Sequence, residues 1–207
     1  MKYLYELIGT FFLVLTVGMT VFGPNNLGNF APLAIGSVLA VMVYAGGHIS
    51  GGHYNPAVSL AVHMQGKLSR KDLGMYWAYQ LAGAVVAAIV TLYLQGTASA
   101  LSKTIDVPRA FVAEFLFTFA LCYVVLNVAV AKQSASNSFF GFAIGFTVLV
   151  GAYAVGSISG AAFNPAVALG QSILNLTSWS NLWVYVVATL LGAAASSWVF
   201  KKAHLGQ

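Results

Sequence analysis

Apolar residues run along this chain in six long blocks, which short polar or glycine-rich segments separate. A helix needs about 20 mainly apolar residues to cross a bilayer. The pattern therefore predicts six membrane-spanning helices, at 4–22, 33–46, 73–94, 111–131, 139–156 and 181–200. Two further apolar runs, 57–65 and 166–174, are too short to cross alone.

The two short runs belong to a stretch that occurs twice. Residues 47–62 read GHISGGHYNPAVSLAV and residues 156–171 read GSISGAAFNPAVALGQ, with agreement at nine of sixteen positions. The chain is predicted to be one domain, 1–207, built of two repeats at about 1–95 and 108–207. Each repeat holds three spanning helices, and this odd number inserts the second repeat upside down relative to the first.

Both copies carry Gly-X-Ile-Ser-Gly, called here the Gly-Ile-Ser-Gly segment and predicted to be a turn, and then Asn-Pro-Ala. Asn55, Pro56 and Ala57 form the first motif, and Asn164, Pro165 and Ala166 form the second. Asparagine is a good N-cap, and proline suits the first turn of a helix because no intrahelical bond needs its missing N–H. The short runs are thus predicted to be re-entrant half-helices whose N-termini meet near the membrane midplane. The predicted fold class is an all-α membrane protein.

Composition agrees with this interpretation. Charged residues make up 6% and hydrophobic residues 59% of the 207 positions, whereas a soluble domain holds roughly 25% charged residues. The net charge of +5 lies at segment ends, which favours anchors at the lipid bilayer over a nucleic-acid partner. The single cysteine, Cys122, lies in an apolar run and is predicted to be a core residue.

The distribution of Lys and Arg predicts orientation. With the N-terminus inside, seven basic residues lie on the inner side: Lys2, Lys67, Arg70, Lys71, Lys132, Lys201 and Lys202. Only Lys103 and Arg109 lie outside. Cytoplasmic loops carry the excess of Lys and Arg, so both termini are predicted to be cytoplasmic, in a plasma (cell inner) membrane.

The paired Asn-Pro-Ala motifs, the sequence HISGGHYNPA and the glutamates of the first and fourth helices resemble the aquaporin, or major intrinsic protein, family across essentially the whole chain. The resemblance implies a homotetramer with one pore per subunit. No nucleophile–base pair, metal cluster or cofactor loop is found in the sequence. We therefore expect no enzyme activity, no cofactor and no metal.

Elementary physics favours the same function. Each half-helix carries about half a positive charge at its N-terminus, so two facing N-termini repel cations. Asn55 and Asn164 can each donate an amide N–H to the oxygen of a passing water, while loop carbonyls accept its hydrogens. A water held by two donors does not readily pass a proton along the file. We expect passive, single-file conduction of water and/or small neutral solutes.

The resemblance also implies an outer filter of four positions, one of which is an arginine directly after the second Asn-Pro-Ala motif. In this chain the four positions fall on Ile35, Ala152, Ala161 and Val167, and all are apolar. Without the guanidinium donors, the filter is predicted to be unusually wide and poor in hydrogen bonds. Larger or less polar neutral solutes then gain access, and an apolar ring that dewets slows water.

Glu6 and Glu114 lie within predicted spans, where an acid costs roughly 2.5–3.5 kcal/mol. One interpretation is a proton relay, in a proton-coupled secondary transporter of a small neutral solute. The other is that each carboxylate accepts hydrogen bonds from a re-entrant loop; the family resemblance implies this role, and an acid in both halves favours it. An ion-conducting pore is a further alternative because the filter arginine is missing.

Two histidines, His48 and His53, are predicted to lie in the cytoplasmic re-entrant loop. No cysteine or carboxylate lies beside them to complete a metal site. They are expected to line or support the inner vestibule.

Overall fold

The computed structural model describes residues 1–24, 26–96, 102, 104–134 and 136–204; Lys103 lies outside them. The α-helices in these ranges are α1 (Lys2–Val21), α2 (Ala31–Ser50), α3 (Pro56–Met64), α4 (Arg70–Gln95), α5 (Val107–Val125), α6 (Phe140–Ser159), α7 (Pro165–Ile173) and α8 (Leu182–Ala203). Six are long and apolar enough to cross a membrane, which confirms the predicted spans. The other two, α3 and α7, have nine residues each.

The predicted turn over the Gly-Ile-Ser-Gly segments is wrong. α2 continues to Ser50 and α6 to Ser159, so most of each segment is the last turn of a long helix. The helices end only at Gly51 and Gly160, whose φ angles are 90° and 91°. Left-handed backbone favours glycine, whereas the residues before these glycines are compatible with a helix.

Other helix boundaries also differ from the predictions, and two of these differences have local reasons. α4 begins at Arg70, three residues before the predicted start, because the Ser69 side chain caps it by accepting the Asp72 N–H at 3.0 Å. α5 ends at Val125 rather than 131, and a π-helical turn, Leu126–Val130, follows it. The apolar pattern alone does not distinguish this wider turn from a continuing α-helix.

The two repeats pack in the same way. α1 lies along α4, α5 lies along α8, and α2 packs against α6 between the halves. The α2–α6 contact is close: a Cβ added at Gly36 would lie 2.8 Å from the Gly145 carbonyl oxygen. Glycines at equivalent places therefore let the halves approach backbone to backbone, as small residues do in membrane bundles.

Gly83 lets the backbones of α4 and α1 pack equally closely. A Cβ there would lie 2.5 Å from the Leu7 carbonyl oxygen, so Gly83→Ala must separate two backbones. We expect a loss of about 1–3 kcal/mol of unfolding free energy, measured by thermal unfolding in detergent. The control is Gly74→Ala in the same helix, where nothing lies within 4 Å and where we expect a gain of about 0.5–1 kcal/mol. Equal effects of the two substitutions would contradict this packing.

Candidate functional site

The two short helices begin inside the bundle, each with its asparagine as N-cap. The Asn55 Oδ1 accepts the Ala57 N–H at 2.8 Å, and the Asn164 Oδ1 accepts the Ala166 N–H at 2.9 Å. Pro56 and Pro165 occupy the first helical position, where no intrahelical N–H is needed. The capping predicted from the sequence is confirmed in both copies.

The N-termini of α3 and α7 meet, because each asparagine bonds the loop of the other repeat. The Asn55 Nδ2 donates to the Phe163 carbonyl oxygen at 2.9 Å, and the Asn164 Nδ2 donates to the Tyr54 carbonyl oxygen at 2.9 Å. An asparagine amide carries two N–H groups. One N–H of each side chain thus joins the two repeats, which leaves the second for other partners.

The residues that supply these carbonyls have a strained backbone. Tyr54 and Phe163 have φ angles of 48° and 49°, a conformation that costs a non-glycine residue about 1–2 kcal/mol. The Tyr54 N–H donates to a Glu6 carboxylate oxygen at 2.7 Å, and the Phe163 N–H donates to Glu114 at 2.6 Å. These charge-assisted bonds offset the strain, so that each carbonyl stays directed at the opposite asparagine.

Glu6 is completely buried and accepts four hydrogen bonds. Its Oε1 accepts from the Ser50 hydroxyl at 2.7 Å and the His53 N–H at 3.0 Å. Its Oε2 accepts from the Tyr54 N–H and from the Gln80 side-chain amide, both at 2.7 Å. Both carboxylate oxygens therefore accept from donors at the end of α2, in the first re-entrant loop and on α4.

Glu114 repeats the arrangement in the second half with three donors. These are the Ser159 hydroxyl at 2.6 Å, the Ala162 N–H at 3.0 Å and the Phe163 N–H at 2.6 Å. The position equivalent to Gln80 is Thr189, whose hydroxyl instead donates to the carbonyl of residue 185. The two repeats thus share the serine hydroxyl and both backbone donors, and only the Gln80 amide has no counterpart.

Three supporting residues were missed by sequence reasoning: Gln80, Tyr76 and Tyr185. The Tyr76 hydroxyl donates to the Ser50 carbonyl oxygen at 2.6 Å, and the Tyr185 hydroxyl donates to the Ser159 carbonyl oxygen at 2.5 Å. The tyrosines are 109 positions apart, the same offset that relates the Asn-Pro-Ala motifs. That offset was a usable signal. The sequence contains no such signal for Gln80, because the equivalent position in the second repeat is not a glutamine.

Both asparagines line a cavity of about 490 Å³. Its lining includes Asn29, just before α2, and Val125, at the end of α5. The α1–α2 and α5–α6 connections lie at opposite ends of the bundle, so the cavity extends to both sides of the asparagine pair. The structure brings together in this cavity the four predicted filter residues, which are Ile35, Ala152, Ala161 and Val167.

The cavity wall is largely apolar but carries a few polar groups. The apolar side chains include Leu13, Val17, Leu39, Leu121, Val125, Ile144 and Val148. The polar ones include Asn29, His53, Asn55, Asn164, Gln171 and Thr177. Among the described residues, no Asp, Glu, Lys or Arg lines the cavity. The wall therefore offers hydrogen bonds to a neutral molecule without fixed charge.

The two histidines occupy different positions. His53 lines the cavity, and its Nδ1 lies 3.1 Å from the Ser59 hydroxyl. The predicted loop position of His48 is wrong, because α2 continues to Ser50 and His48 lies exposed in its last turn, away from the cavity lining. The vestibule role of His48 stays a prediction.

Ala161 lies on left-handed backbone, with a φ of 52°. Ala161→Gly is expected to stabilise the fold by about 1 kcal/mol because glycine adopts this conformation without strain. Thermal unfolding in detergent measures the change. Ala162→Gly, at the next position, is the control and is expected to destabilise by about 0.5–1 kcal/mol. If Ala161→Gly and Ala162→Gly lower the unfolding free energy by the same amount, the backbone of Ala161 is not strained.

The sequence of this chain is similar to those of known proteins. A family model described as "Major intrinsic protein" matches residues 2–200. Nodulin-26 of Glycine max is 36% identical over 96% of this chain and 76% of its own length. Aquaporin TIP1-2 of Musa acuminata is 39% identical over 86% of this chain and 72% of its own.

Two solved structures resemble the fold. The aquaglyceroporin from Plasmodium falciparum superposes with a TM-score of 0.78 over 99% of this chain and 96% of its own, at 22% identity. An FNT family ion channel superposes with a TM-score of 0.57 over 97% of this chain and 84% of its own, at 15% identity. At these identities the likeness concerns the fold alone.

Proposed function

The chain belongs to the major intrinsic protein family, and from that membership we propose that its cavity is the pore of a passive channel. Water and small neutral solutes pass it in single file beside Asn55 and Asn164. The observation that carries the proposal is the meeting of two capped helix N-termini at a cavity that both asparagines line and whose described wall holds no Asp, Glu, Lys or Arg. The second N–H of each amide is the donor offered to a passing oxygen.

Cation exclusion follows from the same geometry. Each half-helix contributes about half a positive charge at its N-terminus, and the two N-termini face one another. The described part of the cavity wall carries no carboxylate that would neutralise this field. A cation at the asparagine pair thus loses its hydration without receiving a counter-charge.

The proposed outer filter consists of Ile35, Ala152, Ala161 and Val167. All four line the cavity, and none supplies a side-chain hydrogen bond. Such a filter selects by size and not by hydrogen-bond geometry. We propose that neutral solutes as large as urea or glycerol therefore cross it.

Proton coupling through Glu6 or Glu114 has less support. Both side chains are completely buried, do not line the cavity, and accept a backbone N–H of a re-entrant loop on each carboxylate oxygen. A relay needs exchange of its proton with the transport path. We propose instead that both carboxylates are structural supports of the re-entrant loops.

We further propose a homotetramer in the plasma membrane with cytoplasmic termini. The support is the excess of Lys and Arg at one end of the bundle together with the membership of the family. Protease accessibility of a terminal tag in sealed cells measures the orientation.

The test is solute flux in proteoliposomes, with water, glycerol and urea measured for the native protein, Val167→Arg and Val167→Met. We expect native flux that does not saturate and does not depend on a proton gradient. Val167→Arg is expected to lower glycerol and urea flux by about tenfold, equal to about 1.4 kcal/mol of added barrier. Val167→Met adds length without charge and is expected to have a smaller effect.

Two outcomes would contradict the proposal. If native protein passes water rapidly, excludes glycerol and urea, and is unchanged by Val167→Arg, the filter is not wide. If uptake saturates and follows the proton gradient, the protein is a transporter.

A further inference from the structure

A second cavity, of about 290 Å³, opens between α4 and α8 at the level of the two prolines. Its lining is apolar throughout: Pro56, Trp77, Leu81, Pro165, Leu169, Leu182, Val186 and Leu190. The indole N–H of Trp77 is already donated to the Pro56 carbonyl oxygen at 2.9 Å. Water finds no partner in such a site, whereas an apolar group does. We call this cavity the proline groove.

Basic side chains gather at one end of the same face. The Gln65 side-chain amide donates to the Ser197 carbonyl oxygen at 2.8 Å, so the α3–α4 loop lies against the last part of α8. The residues that flank this contact are exposed: Lys67, Arg70, Lys71, Lys201 and Lys202. We call them the basic cluster. The nearby Asp72 is paired with Lys2 at 2.9 Å, which reduces its effect on the cluster.

Helix α3 connects the basic cluster to the proline groove. It runs from Pro56, which lines the groove, to Met64, next to the loop. Eight residues of helix rise about 12 Å, close to half of a hydrocarbon core of about 30 Å. Met64 is 43% exposed and Leu60 is partly exposed on the way. A lipid chain that follows α3 from the membrane surface therefore reaches the groove.

The exposed tryptophans of α8 indicate that this face meets lipid. Trp183 and Trp198 are 54% and 62% exposed, and the 15 residues between them rise about 22 Å. The Lys202 ammonium lies 6.0 Å from the centre of the Trp198 ring. Tryptophan and lysine at the two ends of a helix are the usual anchors at membrane–water interfaces. The groove extends along α8 from the level of Trp183 to the middle of the helix, where acyl chains lie.

We propose that this face binds one anionic phospholipid. Its headgroup contacts the basic cluster, and one acyl chain follows α3 and enters the proline groove. Juxtamembrane Lys and Arg attract anionic lipids, and an acyl chain suits a groove without polar groups. The chain then contacts Pro56 and Pro165 from the side opposite to the pore. This site does not depend on which solute the pore passes.

Native mass spectrometry of the purified full-length protein tests the site. Equal amounts of dioleoylphosphatidylglycerol and dioleoylphosphatidylcholine are added, and the retained lipids are counted. We expect native protein to retain the anionic lipid preferentially. The double variant Lys67→Gln and Lys201→Gln is expected to lower that retention by about tenfold, whereas Lys132→Gln, an exposed lysine outside the cluster, leaves it unchanged.

Groove variants form the second arm. Leu190→Trp fills the groove and is expected to abolish the preference, whereas Leu191→Trp, at the adjacent exposed position, preserves it. Val186→Phe replaces Leu190→Trp if the latter fails to fold, as judged by thermal unfolding. Equal retention of the two lipids by native protein would overturn the proposal. The proposal would also be overturned if Leu190→Trp and Leu191→Trp retained the anionic lipid with the same preference.

Discussion

Glu6→Gln is expected to lower the unfolding free energy by about 2–6 kcal/mol. The carboxylate accepts four hydrogen bonds in a completely buried position. A glutamine amide of the same shape presents an NH₂ group to two of those donors. Each buried donor left without a partner costs about 1–3 kcal/mol, and one of the two is a backbone N–H, that of His53 or that of Tyr54, according to which oxygen the NH₂ replaces. Thermal unfolding of the purified protein in detergent measures the loss.

The same substitution at other carboxylates provides controls. Glu114→Gln is expected to have a similar but smaller effect, because three donors are involved. Asp106→Asn is expected to be neutral, since Asp106 is an exposed N-cap and asparagine caps as well as aspartate. A fully stable Glu6→Gln protein that has lost only proton-coupled uptake would instead identify Glu6 as a relay.

Each glutamate connects the packing of its own repeat to the cavity through a short series of hydrogen bonds. Glu6 holds the Tyr54 N–H, the Tyr54 carbonyl accepts the Asn164 amide, and Asn164 caps α7. Glu114 begins the matching chain in the other half and ends at Asn55. Each repeat therefore positions the cavity-lining asparagine of the other. Neither half forms a complete site alone.

Much of the fold follows from local patterns in the sequence. Block length predicts the six spans, and Asn-Pro predicts the start of each half-helix from bonds that lie within three residues. The ends of α2 and α6 were harder, because a glycine-rich segment is compatible with both a helix and a turn. Both helices end at Gly51 and Gly160 because the chain turns there into the re-entrant loop. The position of that loop depends on tertiary packing.

The site was predictable only in part, because some of its contacts are local in the sequence and others depend on tertiary packing. The repeat offset identifies Asn55 and Asn164, but nothing local predicts that one N–H of each amide bonds the opposite loop. Gln80 is a single polar residue in an apolar helix, and its partner Glu6 lies 74 positions away. Contacts of that range depend on how α1 and α4 pack. The sequence pattern alone does not determine them.

The central claim is that solutes cross by the cavity that both asparagines line. Ala152 lines this cavity on α6, and a tryptophan there adds an indole to the proposed filter. Ala78→Trp is the matched control, since Ala78 is exposed on α4 and does not line the cavity.

Stopped-flow flux of water and glycerol in proteoliposomes compares native protein, Ala152→Trp and Ala78→Trp at equal reconstituted amounts. We expect Ala152→Trp to lower both fluxes by at least about a hundredfold, equal to about 2.7 kcal/mol of added barrier. Ala78→Trp is expected to conduct like native protein. If folded Ala152→Trp also conducts like native protein, solutes cross elsewhere and the cavity is not the pore.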